Sequence, residues 1–345
     1  MKEENAVNFY FDNFDLSLYW NQHWIIEQIR SFIRPLIRER FLKSDILFDP
    51  QDLEHQVLFY LTTYNPSKIT NKIIEDSLEE QYLLIRERLF KNFNKKELKH
   101  LFRGLSGDAV DLNVDNRLKL IKMHGKLFAS NDKMQLEVEF RKIDNLQHAF
   151  LFTSCFHYIH QDRCRGDVFG FYFKGDNYPW AIETTENAVF SRDYKKQALM
   201  YNGLNPENVI ELTRYYTLPG SPLNSISMID SLVKKYYKKY DKKIEALITT
   251  TMPSYSKSKS TTISGGLDNV LCVKDLEHYF IKREVDNNIC WQHVSKRYLE
   301  NFEDNLEIKK TDKNFHLFPK VDVFMKINCK NNTVSKKNNL VMHFL

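Results

Sequence analysis

Glu211 lies between Ile210 and Leu212 in an apolar run that reads as a strand. A half-buried glutamate holds its proton more tightly than an exposed one and can accept a proton from an amine. The plain alternative is an ion pair with Arg214 or a nearby lysine. Arg214, three residues on, falls on the opposite side of a regular strand, and suits either a clamp on phosphate or carboxylate or a structural ion pair. After the strand, Leu218-Pro219-Gly220-Ser221-Pro222-Leu223-Asn224 turns the chain into a helix that opens at Ser225. Free amides and the dipole at a helix start attract anions, and Asn224 or Ser225 adds a side-chain donor or cap. Residues 253–266 carry Ser254, Tyr255, Ser256, Lys257, Ser258, Lys259, Ser260, Thr261, Thr262 and Ser264 beyond a second strand end. Strand ends are where α/β proteins place ligand groups. The segment reads as a phosphate-binding loop or as a solvated one. Arg163 and Arg165, with Asp167 around Gly166, suit a turn that faces an anionic substrate. His157, His160 and Cys164 supply at most three ligands where zinc needs three or four with supporting groups, so no metal is expected.

The elements that must position these groups follow from apolar spacing and breakers. Residues 1–104 read as helices: one over 16–42, which Pro35 should kink or break; one opened by Asp49-Pro50; one over 68–93; and a short one from Asn94, with Glu97 three residues on as in a capping box. All ten glycines fall between 104 and 266, which concentrates sharp reversals in the middle of the chain. Residues 118–130 and 134–143 fit a hairpin around Asn131-Asp132, although the first fits a short helix equally well. From 146 the expected order is a strand at 149–159, a hairpin of 168–173 with 180–185, a helix at 194–201, a strand at 209–218, an amphipathic helix at 225–240, and strands at 244–250 and 270–273. The 225–240 helix is expected to bury Ile226, Ile229, Leu232, Val233, Tyr236 and Tyr240. A helix at 291–302 and a strand at 321–327 close the chain. Trp291, His293, Lys296, Arg297 and Tyr298 mix aromatic and basic groups, as base-stacking surfaces do and as ordinary amphipathic helices also do.

Composition narrows the classes. Aromatic residues are 14% of 345, which excludes a wholly disordered chain. No apolar run approaches the roughly 18–20 residues that span a bilayer. The first residues are acidic where a signal peptide is basic. Five scattered cysteines without CxxC fit reduced thiols, and a cytoplasmic location is expected. A net charge of +5 does not by itself point to nucleic acid, although Lys234, Lys235, Lys238, Lys239, Lys242 and Lys243 form a basic strip suited to sequence-blind phosphate contact or to a solvated helix face.

The central order of elements resembles the GCN5-related N-acetyltransferase (GNAT) fold. The residues that carry the likeness are Gly170–Asp176 and Pro179–Glu183 for a central hairpin, Val209–Gly220 for a cofactor strand and its turn, Asn224–Ile229 for the start of a pyrophosphate helix, and Ser264–Leu267. Within that superfamily, Glu211-Leu212-Thr213-Arg214 followed by Asn224-Ser225-Ile226-Ser227 is similar to Mom-type DNA-modifying acyltransferases. The turn has one glycine and two prolines where the family has Arg/Gln-x-x-Gly-x-Gly/Ala. The resemblance implies a mixed α/β (α+β) sheet flanked by helices, preceded by an all-helical N-terminal domain. Together with the helical reading of 1–104, the expected domains are 1–104, a GNAT-like 105–280, and a C-terminal extension, 281–345, packed on it. The resemblance also implies acetyl-CoA or a related acyl-CoA as cofactor, held by Thr217, Gly220, Ser221, Asn224 and Ser225. Glu211 would be the base, and Tyr255 and Ser256 candidate donors to the departing thiolate. Arg163, Arg165, Arg214, Lys257 and Lys259 would bind substrate, with DNA or RNA as partner. The alternatives are a non-catalytic nucleic-acid-binding or regulatory protein that kept the fold, and an interaction module whose working part is the helical N-terminus.

Overall fold

The computed structural model describes residues 16–102, 117–131, 134–144, 146–157, 160, 165–251, 269–275, 278–300, 306–310, 321–328 and 342–344. The first helix, α1 (Leu16–Lys43), is continuous through Pro35 and is not broken there. Pro35 is exposed, while Ile33 and Ile37 on either side of it are fully buried. The lost amide bond therefore faces water, and the core clamps the helix on its other side. Helix α2 (Pro50–Leu61) starts where the sequence announces it, with the Asp49 carboxylate accepting from the Gln51 N–H. Thr70 caps α3 (Asn71–Asn92). Asn94 and Glu97 form a reciprocal capping box on α4 (Lys95–Leu101). Gly104, expected to close α4, lies outside the described residues.

Among the described residues the main sheet has ten strands. Strands β1 (Lys119–Met123), β2 (Lys126–Asn131), β3 (Met134–Lys142), β4 (Val168–Phe173), β5 (Ala181–Asn187) and β6 (Val209–Thr217) are antiparallel neighbours in sequence. The ambiguous segment after residue 118 is two strands rather than a helix: His124 and Gly125, both with positive φ, turn the chain between them. Strand β7 (Ala246–Thr251) then joins β6 in parallel, after helix α7 (Ser225–Tyr240) has crossed over. Antiparallel β12 (Val321–Asn328) follows, then β8 (Asn269–Asp275) and β13 (Met342–Phe344). The mixed α/β class with a helical N-terminal region is as expected.

Three expectations are corrected. The strand expected over 149–159 is replaced, over its described residues, by helix α5 (Leu146–Cys155). Ala149, Phe152 and Phe156 are buried at helical spacing, but the run is apolar all round, and such runs do not distinguish helix from strand. The helix expected over 291–302 is strand β10 (Asn288–Val294) followed by the single turn α8 (Lys296–Leu299). Asp286 and Asn287, both at positive φ, make the tight turn that pairs β10 with β9 (Tyr279–Val285). Helix α7 has the predicted bounds but is rotated: it buries Ser225, Ile229, Asp230, Val233 and Tyr237, and leaves Tyr240 64% exposed.

Strands β9, β10 and β11 (Ile308–Lys310) form a separate small sheet. It packs on the N-terminal helices, with Phe59 and Tyr60 of α2 against Phe280 and Trp291, and Leu84 of α3 against Val285 and Cys290. Strand β9 crosses residue 280, and β12 and β13 enter the main sheet. One apolar core runs from Ile26 in α1 through α5 to Leu247 in β7. Successive residues of a strand face opposite sides. Tyr216 of β6 meets Asp49 and Phe156, while its neighbour Tyr215 lies opposite Glu183 beneath α7. Helices α2 and α5 therefore cover one face of the sheet and α7 the other.

Candidate functional site

The sheet opens where its direction changes. Strand β6 pairs with β7 only from Val209/Ala246 to Leu212/Thr249. On its other edge β6 continues to Thr217 against Ala181, but its register shifts so that Thr213 has no opposite residue. That bulge bends β6 away from β7. The Thr213 hydroxyl lies 2.7 Å from the Thr184 hydroxyl, which holds the bend against β5. Across the widening seam, the Tyr215 hydroxyl donates to Thr249 Oγ1 at 2.5 Å, and Thr249 donates to the Leu212 carbonyl at 3.0 Å. The backbone of β6 from 213 to 217 thus presents one edge that β7 does not pair. A ligand with amide groups could lie along such an edge, with its far end at the start of α7.

Glu211 stands just before the opening and is fully engaged. Lys195, from helix α6 (Asp193–Tyr201), meets its Oε1 at 2.5 Å, and the Ser191 hydroxyl donates to Oε2. Lys195 also donates to Thr250. Both charged partners are buried. The geometry is that of the ion-pair alternative, with a lysine supplied by a helix that spacing did not connect to it. The bulge at Thr213 brings Arg214 round to the same face of β6 as Glu211, since the two stand opposite Thr184 and Glu186 of β5; Arg214 donates to the Thr213 carbonyl at 2.7 Å and places its charge near buried His157.

The turn after β6 spends its side-chain hydrogen bonds within the protein. Gly220 and Asn224 adopt positive φ, 78° and 54°. The Ser221 and Ser225 hydroxyls donate to the carbonyls of Leu218 and Pro222. The Asn224 side chain grips both backbone groups of Leu120 at 3.0 Å. Arg117 donates to the Ser221 carbonyl. What remains for an anion is the backbone: the Met228 N–H is the first to bond within α7, to the Asn224 carbonyl, so the amides of Ser225, Ile226 and Ser227 head the helix. Thr217 ends β6, half-buried, at the mouth of this turn. Arg165 is exposed, 3.9 Å from Glu186. Arg163, Tyr255, Ser256, Lys257 and Lys259 lie outside the described residues.

Two polar clusters were not read as sites from the sequence. Under α7, Glu183 of β5 and Asp230 of α7 are both buried. Burial, and then Asp230, push the Glu183 carboxyl well above the usual range; burial also pushes Asp230 up, while its hydrogen bond with Glu183 pulls it back down. Burial also raises the neighbouring Tyr215, reinforced by both acids. The available signal was spacing: 226, 229, 230, 233 and 237 form one helical stripe with an acid inside it. On the other face, Tyr216 donates to Asp49 at 3.0 Å. Burial, and then Asp52, push Asp49 up to about 7. His160, at φ 50°, sets its Nε2 3.0 Å from Asp52 and 2.9 Å from Arg88. Burial alone would raise Asp52, but His160 and Arg88 bring it below its ordinary value. His157 and His160 are thus in the interior, both held below the ordinary histidine value by burial and by neighbouring arginines. Among the described residues no three His, Cys, Asp or Glu side chains gather as metal ligands; Cys164 lies outside them.

No protein-family model matches the chain, and no curated protein is significantly similar to it. Among the described residues no helix is long and apolar enough to cross a membrane.

Proposed function

We propose that the protein is an acyl-CoA-dependent acyltransferase of the GNAT type. The observation that carries this reading is the parting of parallel β6 and β7 at the Thr213 bulge, with the β6 turn leading directly into the N-terminus of α7. In this reading the pantetheine arm lies along the unpaired edge of β6 from 213 to 217. The pyrophosphate sits at the amides of Ser225, Ile226 and Ser227. The hydroxyls of Ser221 and Ser225 support the turn instead of touching the cofactor. Glu211, with both oxygens engaged, shapes the site through Lys195 and Thr250 and does not abstract the proton. A Mom-like acceptor, an amino group of a nucleic-acid base, fits the exposed lysines of α7 and its end: Lys235, Lys238, Lys239, Lys242 and Lys243.

Thermal melting with acetyl-CoA and CoA tests the reading, because a ligand that binds only the native state raises Tm. Ser227→Glu places a carboxylate in the first turn of α7, which favours the helix dipole but repels a phosphate. The expected result is a clear ligand-dependent rise in Tm for the wild type and its loss in Ser227→Glu, whose unliganded Tm is unchanged. No rise at millimolar ligand removes the transferase reading. A second reading, nucleic-acid binding without chemistry, is favoured by the commitment of Asn224 and Arg117 to contacts between β1 and the turn. Its mark is binding that weakens steeply with salt and ignores CoA.

A further inference from the structure

Glu183 is 0% and Asp230 1% exposed. Among the described residues no N–H or O–H group donates to either oxygen of Glu183 or to Oδ1 of Asp230. The two carboxyls are within hydrogen-bonding reach of each other. Two carboxylates offer each other only lone pairs, so that contact requires a proton on one of them. No cation among the described residues compensates the pair. Around it, β4 contributes Phe169, and β6 contributes Tyr215, whose hydroxyl is given to Thr249. Helix α7 itself contributes Tyr237, which bonds Thr185 and Asp167. Lys142 of β3 is held by Asp167. Glu211, also on β6, is paired with Lys195. Two bare charges in this setting would repel each other and forfeit their hydration. The pair joins the middle of α7 to β5, within the stripe of Ile229, Val233 and Tyr237 that seats the helix.

We infer that Glu183 and Asp230 share one proton, and that this acid pair fastens α7 to the sheet with a strength that falls as pH rises. When α7 lifts, the acids meet water and release the proton above about pH 5. Each further unit of pH, up to the point where the seated pair itself ionises, then favours the lifted form by about tenfold. The protein senses pH at the helix whose N-terminus closes the β6 turn, whatever that turn binds.

The test uses the full chain in an Asp49→Asn background, which removes the other carboxyl titrating near neutrality. Infrared spectra at pH 7 should show a protonated carboxyl band that disappears in Glu183→Gln. Amide exchange, corrected for its intrinsic pH dependence, should show protection of α7 falling about tenfold per unit between pH 5 and 7. In Glu183→Gln the amide donates to Asp230 at every pH, so protection should stay high and flat. Absence of the band, or a slope in Glu183→Gln equal to that of the parent, overturns the inference. If Glu183→Gln does not fold, Asp230→Asn supplies the same donor from the other side, and the parent's infrared band decides the matter by itself.

Discussion

At the scale of single residues, the decisive fact about Glu211 is its lysine. A buried glutamate alone is a candidate base; one paired with a buried Lys195 and a serine hydroxyl is part of a closed ion pair. Removing one partner leaves the other charged and uncompensated. Glu211→Gln should therefore lose about 3–5 kcal/mol of stability in urea unfolding, while Lys195→Met with Glu211→Leu should recover most of it. A stable Glu211→Gln variant that loses only turnover would restore the base assignment. Asp49 makes a separate prediction. Its carboxyl rises from 3.8 to about 7 on folding, so the folded state binds more protons than the unfolded one between those values. Stability should fall as pH rises from about 4 to about 7, by up to about 4 kcal/mol. Asn still caps a helix and cannot ionise. Urea titrations at pH 5 and pH 8 should show Asp49→Asn gaining most at pH 8.

At the scale of elements, two local contacts set how the sheet meets its helices. Asn224 combines a left-handed backbone with a side chain that bonds both groups of Leu120, tying β1 to the start of α7. Asn224→Gly keeps the backbone freedom and loses both bonds. It should cost about 1–3 kcal/mol and raise hydrogen exchange at the Leu120 amide. Gly166 is constrained by space: a Cβ there would lie 2.6 Å from the Thr185 carbonyl oxygen, which belongs to the strand backbone and has no room to give. Gly166→Ala should destabilise by about 1–3 kcal/mol, and calorimetry can read the lowered Tm. The elements that were legible in advance carry their own instructions. Asp49-Pro50, the Asn94/Glu97 box and the alternating hairpins are local signals. The misread ones, α5 and β10, lack them: one is apolar all round, and the other depends on a positive-φ turn at Asp286-Asn287 that composition does not announce.

At the scale of the molecule, the helices and the sheet share one core, and the small β9-β10-β11 sheet is seated on α2 and α3. Calorimetry should therefore show a single cooperative transition that includes the N-terminal helices. An isolated 1–104 fragment would uncover the apolar faces that Phe280, Trp291 and Val285 cover, and it should bind ANS and melt without cooperativity. Two resolved transitions would show that the helical region is an independent module.

The sequence by itself determined what is local: the helix starts, the hairpin of β4 and β5, the strand-turn-helix from Val209 to Tyr240, and the mixed α/β class. Capping, turn chemistry and apolar period act within a few residues and can be read without the rest of the chain. Only the tertiary structure decided which charges met. Lys195 reaches Glu211 from another helix, Asp230 lands on Glu183, and Asp49 takes the Tyr216 hydroxyl across 167 residues of chain. A carboxylate's chemistry depends on its burial and on its nearest donor, and both are set by packing between elements far apart in the chain. The rotation of α7 and the bulge at Thr213 show the same thing. Each is a small geometric choice that spacing leaves open and that contacts with neighbouring elements settle.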